Sequence, residues 1–287
     1  MVNKKNILVT GSNGQLGSSL IKFSIGYPFN FFFKSKADLN ISNKEALCDF
    51  VSKNEIKYLI NCAAFTDVDE SERNFNKAEL VNSISVGYLA EICLRQNIKL
   101  IHISTDYVFS GSTKLAYIET NKTVPVNNYG VSKLKGEQNI LKSNLKNSII
   151  IRTSWLYSEF SNNFVTKIIS KIKNKKKIHI YSNEIGSPTN ANDLAKAILE
   201  IIPKINNDKT QVYHYSNGGY CSRYEFAKKI NQLVHPKNFI FTKFEIDKSY
   251  TTRPEFSALN CYKISNDFDL EIISWDISLE NFFYNLQ

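Results

Sequence analysis

The sequence predicts an α/β protein built on a doubly wound parallel sheet, with a smaller interleaved region toward its C-terminal end. Two observations carry this prediction. Short apolar and β-branched runs alternate with amphipathic segments from the first residues onward, and a glycine-rich turn separates the first run from the first amphipathic segment. Strands that alternate with helices form right-handed βαβ units, and their helices cover both faces of a parallel sheet.

The alternation can be followed in chain order by its strand-like and helix-like patterns. The predicted strands are 6–10, 29–33, 58–62, 100–104 and 148–152, and the predicted helices are 15–24, 44–53, 76–96, 132–143, 164–173 and 191–201. After about residue 156 the rhythm becomes irregular, with turns predicted at 186–189 and 217–219.

These elements predict how the chain divides. The predicted parts are a nucleotide-binding domain over 1–157, completed by a helix near 190–202 and by parts of 212–217 and 258–266; a substrate-binding region over 158–189 and 218–257; and a C-terminal segment over 267–287.

Composition limits the class of protein. The chain has 287 residues, of which 43% are hydrophobic and 22% charged, which favours a folded protein of one large or two closely coupled domains. No apolar run approaches the roughly 18 residues of a membrane helix, and the start of the chain lacks the pattern of a signal peptide. We therefore expect a cytoplasmic protein without a membrane partner. The five cysteines include no C-x-x-C pair, so we expect reduced thiols rather than disulfides or a zinc site.

The charge is positive. Lysine plus arginine number 36 and aspartate plus glutamate 27, giving 36 − 27 = +9, which suits an anionic small ligand as well as nucleic acid. The lysine-rich run 171–177 ends a predicted helix, where cations are favoured by the helix dipole. We interpret it as a solvated helix end and expect no nucleic-acid partner.

A dinucleotide site is predicted directly after the first strand. Gly11, Gly14 and Gly17 lie between that strand and the first helix. Such glycines permit the tight turn, the close approach of the backbone to a pyrophosphate and the packing of the helix on the sheet, while the helix N-terminus attracts the anion. We assign cofactor binding to this turn and expect Gly11, Asn13, Gly14, Gln15 and Leu16 to line it.

The end of the second strand predicts which cofactor is bound. An acidic residue there would bind the ribose 2′-hydroxyl, whereas a cation tolerates a 2′-phosphate. Here Lys34-Ser35-Lys36 follows the strand, and Asp38, before Leu39, is the first acidic residue. We therefore predict NADPH, and Asp38 leaves NADH as the alternative.

Tyr129 and Lys133 form a Tyr-x-x-x-Lys pair at the start of a predicted helix. Residues four apart share a helix face, so the ammonium of Lys133 can lie beside the phenol of Tyr129. A unit charge about 4 Å away at an effective dielectric near 20 supplies about 4 kcal/mol, enough to lower a phenol pKa by about three units. The pair therefore predicts a proton donor.

Hydroxyl and small side chains follow two other strands, at the edge where open α/β sheets bind ligands. At this point the chain resembles the extended short-chain dehydrogenases, with their Rossmann fold, and within them the dTDP-4-dehydrorhamnose reductases. The resemblance rests on Gly14-Gln15-Leu16-Gly17, Asn61-Cys62-Ala63-Ala64-Phe65-Thr66-Asp67-Val68-Asp69, Ser104-Thr105-Asp106-Tyr107-Val108-Phe109, Tyr129-Gly130-Val131-Ser132-Lys133, Arg152-Thr153-Ser154-Trp155-Leu156-Tyr157, Asn162-Asn163-Phe164, and Arg253-Pro254 with Ser257-Ala258-Leu259.

The resemblance implies the chemistry. The family reduces the 4-keto group of a dTDP-linked 6-deoxy sugar to dTDP-L-rhamnose with hydride from NAD(P)H, for cell-surface polysaccharide such as O-antigen. It implies a catalytic triad of Thr105, Tyr129 and Lys133, the last two also binding cofactor. It further implies cofactor contacts at Ala63, Ala64 and Thr66, and substrate contacts at Thr66, Val68, Thr105, Asp106, Tyr107 and Trp155. For Trp155, a core or interface role stays open, and His102 is interpreted as structural.

The chain differs from the family at some positions, and other functions stay open. Family members with a magnesium ion at a dimer interface use glutamates where this chain has Ser18-Ser19 and Asn190-Ala191-Asn192. We therefore expect no metal, and any homodimer to lack that bridge. A dehydratase would need an acid where this chain has Tyr107. A reductase of another nucleotide-linked 4-keto sugar and a non-catalytic, nucleotide-binding regulatory subunit of the same fold stay open as alternatives.

Overall fold

The computed structural model describes residues 4–174, 178–181, 184–234, 241–244 and 251–286; the side chains at 178, 179, 181 and 241–244 lie outside this description. Parts of the predicted regions 158–189, 218–257 and 267–287, namely 175–177, 182–183, 235–240, 245–250 and 287, also lie outside the described residues.

The strands are β1 Lys5–Thr10, β2 Phe29–Lys34, β3 Ile56–Asn61, β4 Lys99–Thr105, β5 Ile149–Thr153, β6 Leu156–Tyr157, β7 Ile178–Tyr181, β8 Ile185–Gly186, β9 Thr189–Asn190, β10 Gln211–His214, β11 Cys221–Ser222 and β12 Phe241–Phe244. The α-helices are α1 Gln15–Phe23, α2 Lys44–Lys53, α3 Val68–Arg73, α4 Phe75–Glu79, α5 Ser85–Arg95, α6 Asn128–Lys142, α7 Phe164–Lys173, α8 Ala191–Ile201, α9 Arg223–Val234, α10 Tyr262–Phe268 and α11 Trp275–Tyr284.

The central sheet has six parallel strands in the order β10-β5-β4-β3-β1-β2. The chain moves outward from β1 to β2 and then crosses back to β3, so the crevice between β1 and β3 is the topological switch point where such sheets bind ligands. The predicted doubly wound α/β fold is confirmed.

Helices cover both faces of this sheet. On one face α1, α8 and α10 bury Leu20, Ile198 and Ile264, and on the other α2 and α5 bury Leu47 and Leu89. Full burial of one such side chain stabilises the fold by about 1.5–3 kcal/mol. The predicted elements up to residue 201 are all present, with shifted ends. The helix predicted from residue 132 begins earlier, at Asn128, because the side chain of Asn127 caps it by accepting from the Gly130 backbone N–H at 2.8 Å.

Part of the chain after residue 157 builds a second core, apart from the central sheet. Helices α7, α9 and α11 pack together around Ile168, Phe226 and Phe282. Helix α10 instead joins the sheet core, and β10 forms an outer strand of the central sheet beside β5. Helices α9, α10 and α11 were not among the predicted elements. Among the described residues, no helix is long and apolar enough to cross a membrane.

Candidate functional site

One cavity of about 700 Å³ lies at the carboxyl edge of the sheet. It extends from the glycine turn after β1 to side chains of the region after residue 157. The predicted site residues on its wall are Gly11, Asn13, Gly14, Gln15, Leu16, Leu39, Ala63, Ala64, Thr66, Thr105, Asp106, Tyr107, Tyr129, Lys133 and Trp155. The predicted residues Lys34, Ser35, Asp38 and Val68 do not line it.

The glycine turn fits the close approaches that its motif predicts. Gly11 has φ +69°, and a Cβ there would lie 2.6 Å from the backbone nitrogen of Ala63, after β3. A Cβ on Gly17 would lie 2.5 Å from the carbonyl oxygen of Gly11. Helix α1 therefore packs directly on the turn, and its N-terminus faces the cavity with Gly14 as the capping residue. This arrangement can hold an anionic pyrophosphate.

The segment after β2 is arranged differently from the prediction. The Ser35 backbone N–H and hydroxyl donate to the Asp38 carboxylate at 2.9 and 2.6 Å, and these bonds lower the pKa of Asp38. The ammonium of Lys34 lies over the ring of Phe50, 5.1 Å from its centroid. The cation that reaches the cavity wall is Lys36.

The predicted triad is assembled by the end of β4 and the first turns of α6. Thr105 ends the strand, while Tyr129 and Lys133 project from the helix into the cavity. The two elements lie so close that no Cβ fits at Gly130, since it would lie 2.2 Å from the carbonyl oxygen of Tyr107. The glycine inside the Tyr-Gly-x-x-Lys motif is thus the residue that lets the helix reach the strand end.

The ionisation of Tyr129 differs from the prediction. Burial raises the pKa of Tyr129 to about 12, although a hydrogen bond with Thr105 lowers it. Thr105, not Lys133, is the group that lowers it, and the Nζ of Lys133 donates to the carbonyl oxygen of Ile103 at 2.7 Å. Burial also lowers the pKa of Lys133 to about 8. The pKa of the Tyr129 phenol is thus raised, where the sequence predicted that Lys133 would lower it.

A turn of π-helix, Leu80–Ile84, interrupts the long helix predicted over 76–96 and joins α4 to α5. It contains Asn82, whose amide accepts from the Phe65 backbone N–H at 2.8 Å and donates to the Phe65 carbonyl at 2.9 Å. The same amide donates to the Ser132 hydroxyl on α6 at 3.0 Å. Such turns occur frequently at functional sites, and here one fixes the loop after β3 against the helix that carries Tyr129 and Lys133.

The far end of the cavity is formed by Trp155 and Arg223. The Arg223 guanidinium lies over the Trp155 ring, 3.6 Å from a ring centroid, and its Nε donates to the buried carboxylate of Glu184 at 3.2 Å. Trp155 has φ +44°, and a Cβ on Gly186 would lie 2.5 Å from its ring. A positive φ is unfavourable for a residue other than glycine, so the packing around Trp155 must stabilise this conformation.

Sequence reasoning missed Arg223, because no spacing or motif connects the first residue of α9 to a tryptophan 68 positions earlier. Its charge also reaches neighbouring groups. Burial raises the pKa of Asp106 to about 6, while hydrogen bonding and the positive charge of Arg223 oppose that rise. Burial likewise raises the pKa of Tyr107, so its phenol stays neutral. This end of the cavity therefore combines the aromatic face of Trp155 with the cation of Arg223.

No group of three or more histidine, cysteine, aspartate or glutamate side chains among the described residues is placed to hold a metal ion. The cavity wall offers a phenol, a buried amine and a hydroxyl close to the glycine turn that can hold a pyrophosphate.

Comparisons with known proteins agree with this geometry. The family model described as RmlD substrate binding domain matches residues 5–287. A dTDP-4-dehydrorhamnose reductase from Aggregatibacter actinomycetemcomitans is 34% identical, covering 96% of this chain and 97% of that protein. The spore coat polysaccharide biosynthesis protein SpsK of Bacillus subtilis is 35% identical, covering 88% of each. The crystal structure of dTDP-4-dehydrorhamnose reductase from Bacillus anthracis in complex with NADP matches with a TM-score of 0.91 and 34% identity, covering 99% of each chain.

Proposed function

Because the chain belongs to the RmlD substrate binding domain family, we propose that it is an NADPH-dependent reductase that converts dTDP-4-dehydro-6-deoxy-L-mannose to dTDP-L-rhamnose. The observation that carries this function is the meeting of Thr105, Tyr129 and Lys133 on the wall of the cavity that also contains the glycine turn. A dinucleotide and a nucleotide sugar can therefore approach the same phenol from opposite ends.

The cofactor end fits NADPH. The glycine turn and the N-terminus of α1 receive the pyrophosphate, and the exposed ammonium of Lys36 stands where a 2′-phosphate needs a cation. The related Bacillus anthracis protein was crystallised with NADP, which supports the same choice here. When bound, the reduced nicotinamide supplies the hydride that reduces C4 of the sugar.

Tyr129 supplies the proton. As C4 accepts hydride, its carbonyl oxygen becomes an alkoxide, which is a stronger base than a phenolate. A phenol with a pKa raised to about 12 stays protonated at neutral pH and still transfers its proton to that oxygen. A raised pKa keeps the phenol protonated but makes it a weaker acid, so the basicity of the alkoxide drives the transfer. Thr105, hydrogen-bonded to Tyr129, is placed to contact the same oxygen.

Lys133 and the far wall orient the two ligands. Lys133 holds the cofactor ribose when its amine is an ammonium, and it balances negative charge that develops on Tyr129. At the substrate end, Trp155 offers an aromatic surface to the apolar face of a 6-deoxy sugar, and Tyr107 and Thr66 line the intervening wall. The product serves polysaccharide synthesis, in agreement with the name of the Bacillus subtilis relative. The cytoplasmic location and any homodimer stay predictions.

The test is a panel of nucleotide-linked 4-keto sugars incubated with the purified protein and NADPH. We expect NADPH oxidation with dTDP-4-dehydro-6-deoxy-L-mannose, and dTDP-L-rhamnose as the product identified by NMR. Faster turnover of another nucleotide or sugar would replace the substrate but keep the reaction. No oxidation with any member of the panel would contradict the proposed function and favour a binding role.

A further inference from the structure

His102 lies in the middle of β4, with 0% of its surface exposed, between the end of β3 and the buried amine of Lys133. Its Nδ1 is 3.0 Å from the amide nitrogen of Asn61, and its Nε2 is 3.4 Å from Lys133 Nζ. The histidine therefore separates a residue outside the cavity from a member of the triad.

The orientation of the Asn61 amide is fixed by its neighbours. Its oxygen Oδ1 accepts from the Ala63 backbone N–H at 3.2 Å and from the Thr10 hydroxyl at 2.7 Å. A backbone N–H can only donate, so the oxygen must face Ala63 and the Nδ2 donor must face His102.

That orientation decides where His102 carries its proton. Because Nδ1 accepts a hydrogen bond from Asn61, it has no hydrogen, and a neutral ring then carries its proton on Nε2. Burial and the nearby charge of Lys133 lower the pKa of His102 well below its ordinary value, in agreement with a neutral ring. The Nε2–H group points at Lys133 Nζ.

This contact distinguishes the two states of Lys133. A neutral amine has a lone pair that can accept from Nε2–H, whereas an ammonium has only donors and would face another donor. We propose that His102 is a positioning residue, which fixes the Lys133 amine in the cavity wall and sets the alkaline limit of activity by favouring the neutral amine. The proposal deepens the proposed function, on which its role in activity rests.

The other groups around Lys133 do not favour its neutral amine as His102 does. Glu137, one turn along α6, raises the pKa of Lys133, but Arg152 binds its carboxylate at 2.7 Å. The Cys62 thiol, after β3, stays protonated because burial raises its pKa to about 12. The carbonyl of Ile103 accepts from Lys133 in either state. Tyr129, which lines the same cavity, stays neutral, because burial raises the pKa of its phenol to about 12.

Two substitutions separate tuning from a structural role. His102→Asn keeps an oxygen near the position of Nδ1, so Asn61 retains its partner, but its shorter side chain removes the donor that faces Lys133. His102→Leu removes both. His214→Asn is the control, because His214 is equally buried in the sheet but contacts Arg152 and the Tyr117 carbonyl instead.

The pKa of Lys133 is measured in the whole protein by NMR of ¹³C-labelled lysine, with the signal assigned from Lys133→Arg. We expect a rise of about half to one pH unit in both His102 variants, the size that one hydrogen bond supplies, and none in His214→Asn. The pH at which kcat/KM falls on the alkaline side should move upward by the same amount. The melting temperature should fall much more for His102→Leu than for His102→Asn.

An unchanged lysine titration in His102→Asn would overturn the proposal, as would ¹⁵N NMR of the wild type showing the His102 proton on Nδ1. Both measurements need no substrate. If the lysine shift appears but no keto sugar is reduced, the proposed function fails and the tuning of Lys133 stands.

Discussion

The two ends of the cavity are built in different ways. The cofactor end is made by turns that directly follow β1 and β3, and its shape depends on backbone approaches such as Gly11 against Ala63. The other end, which we propose as the substrate end, is made by side chains far apart in the chain, with Trp155 held between Gly186 and the guanidinium of Arg223. The first end is a property of local sequence, and the second exists only after the chain has folded.

This difference predicts how each end responds to substitution. Changes at the cofactor end should alter nucleotide binding through one charge or one close approach. Changes at the substrate end should alter sugar turnover and stability together, because Trp155 also packs against the core of α7, α9 and α11. The two ends meet at Tyr129.

Tyr129→Phe should have the largest effect. Removing the phenol hydroxyl removes the proton donor, so turnover should fall by about 10²–10⁴. Affinity for NADPH should stay within a few-fold, because the ring and its edge contact with Tyr107 are retained. Steady-state kinetics and fluorescence titration of NADPH check this, and near-normal turnover would remove Tyr129 from the mechanism.

Trp155→Ala tests the substrate end. Loss of apolar contact should lower kcat/KM for the keto sugar by roughly 1–3 kcal/mol and leave NADPH affinity nearly unchanged. Because Arg223 stacks on this ring, Arg223→Leu should also lower kcat/KM, and the two losses should not add. A double-mutant cycle with melting temperatures measures this. Equal losses of stability, cofactor affinity and turnover would assign Trp155 to the fold alone.

Lys36→Ala tests the cofactor end, with Lys34→Ala as its matched control. Lys36 lines the cavity, whereas Lys34 lies over Phe50. The preference for NADPH over NADH should fall by about two- to fivefold in Lys36→Ala, as expected for one solvent-exposed charge pair, and the effect should weaken with salt. Lys34→Ala should change the preference little. An equal effect of both substitutions would mean that position along the cavity does not matter.

Asp106→Asn should affect stability. A carboxyl whose pKa is raised by burial to about 6 destabilises the fold increasingly as pH rises from about 4 to 6, since the unfolded chain ionises first. The asparagine variant does not ionise, so its free energy of unfolding should fall less between pH 4 and pH 7 than that of the wild type, by at least about 1 kcal/mol. Urea unfolding at pH 4 and pH 7 measures it; an equal or larger fall in the variant would contradict the role of burial.

Much of the fold followed from the sequence because alternating strands and helices are local patterns. The glycine turn and the Tyr-x-x-x-Lys pair were equally local, and both reach the cavity. Arg223 could not be predicted, because its position depends on how α9 packs against Trp155. The sequence identified the side chains after β2 but not the directions in which they point. Ser35 holds the Asp38 carboxylate through two hydrogen bonds, which no periodicity reveals.

The ionisation of the triad was also beyond the sequence. Spacing places Lys133 near Tyr129, but burial and the contacts of its Nζ with Ile103 and His102 decide how it is charged and where it points. The burial and the contacts of Lys133 depend on residues from β3, β4 and α6 together, which only the folded chain brings into contact.

In the proposed reaction, one cavity brings hydride and the Tyr129 proton to the same carbonyl group. The most direct measurement uses NADPH deuterated at C4 with dTDP-4-dehydro-6-deoxy-L-mannose, comparing wild type and Tyr129→Phe by NMR of the sugar. We expect one deuterium at C4 of dTDP-L-rhamnose from the wild type, formed at least 100-fold more slowly by the variant. NADPH consumption without deuterium at C4, or equal rates for the two proteins, would contradict the account.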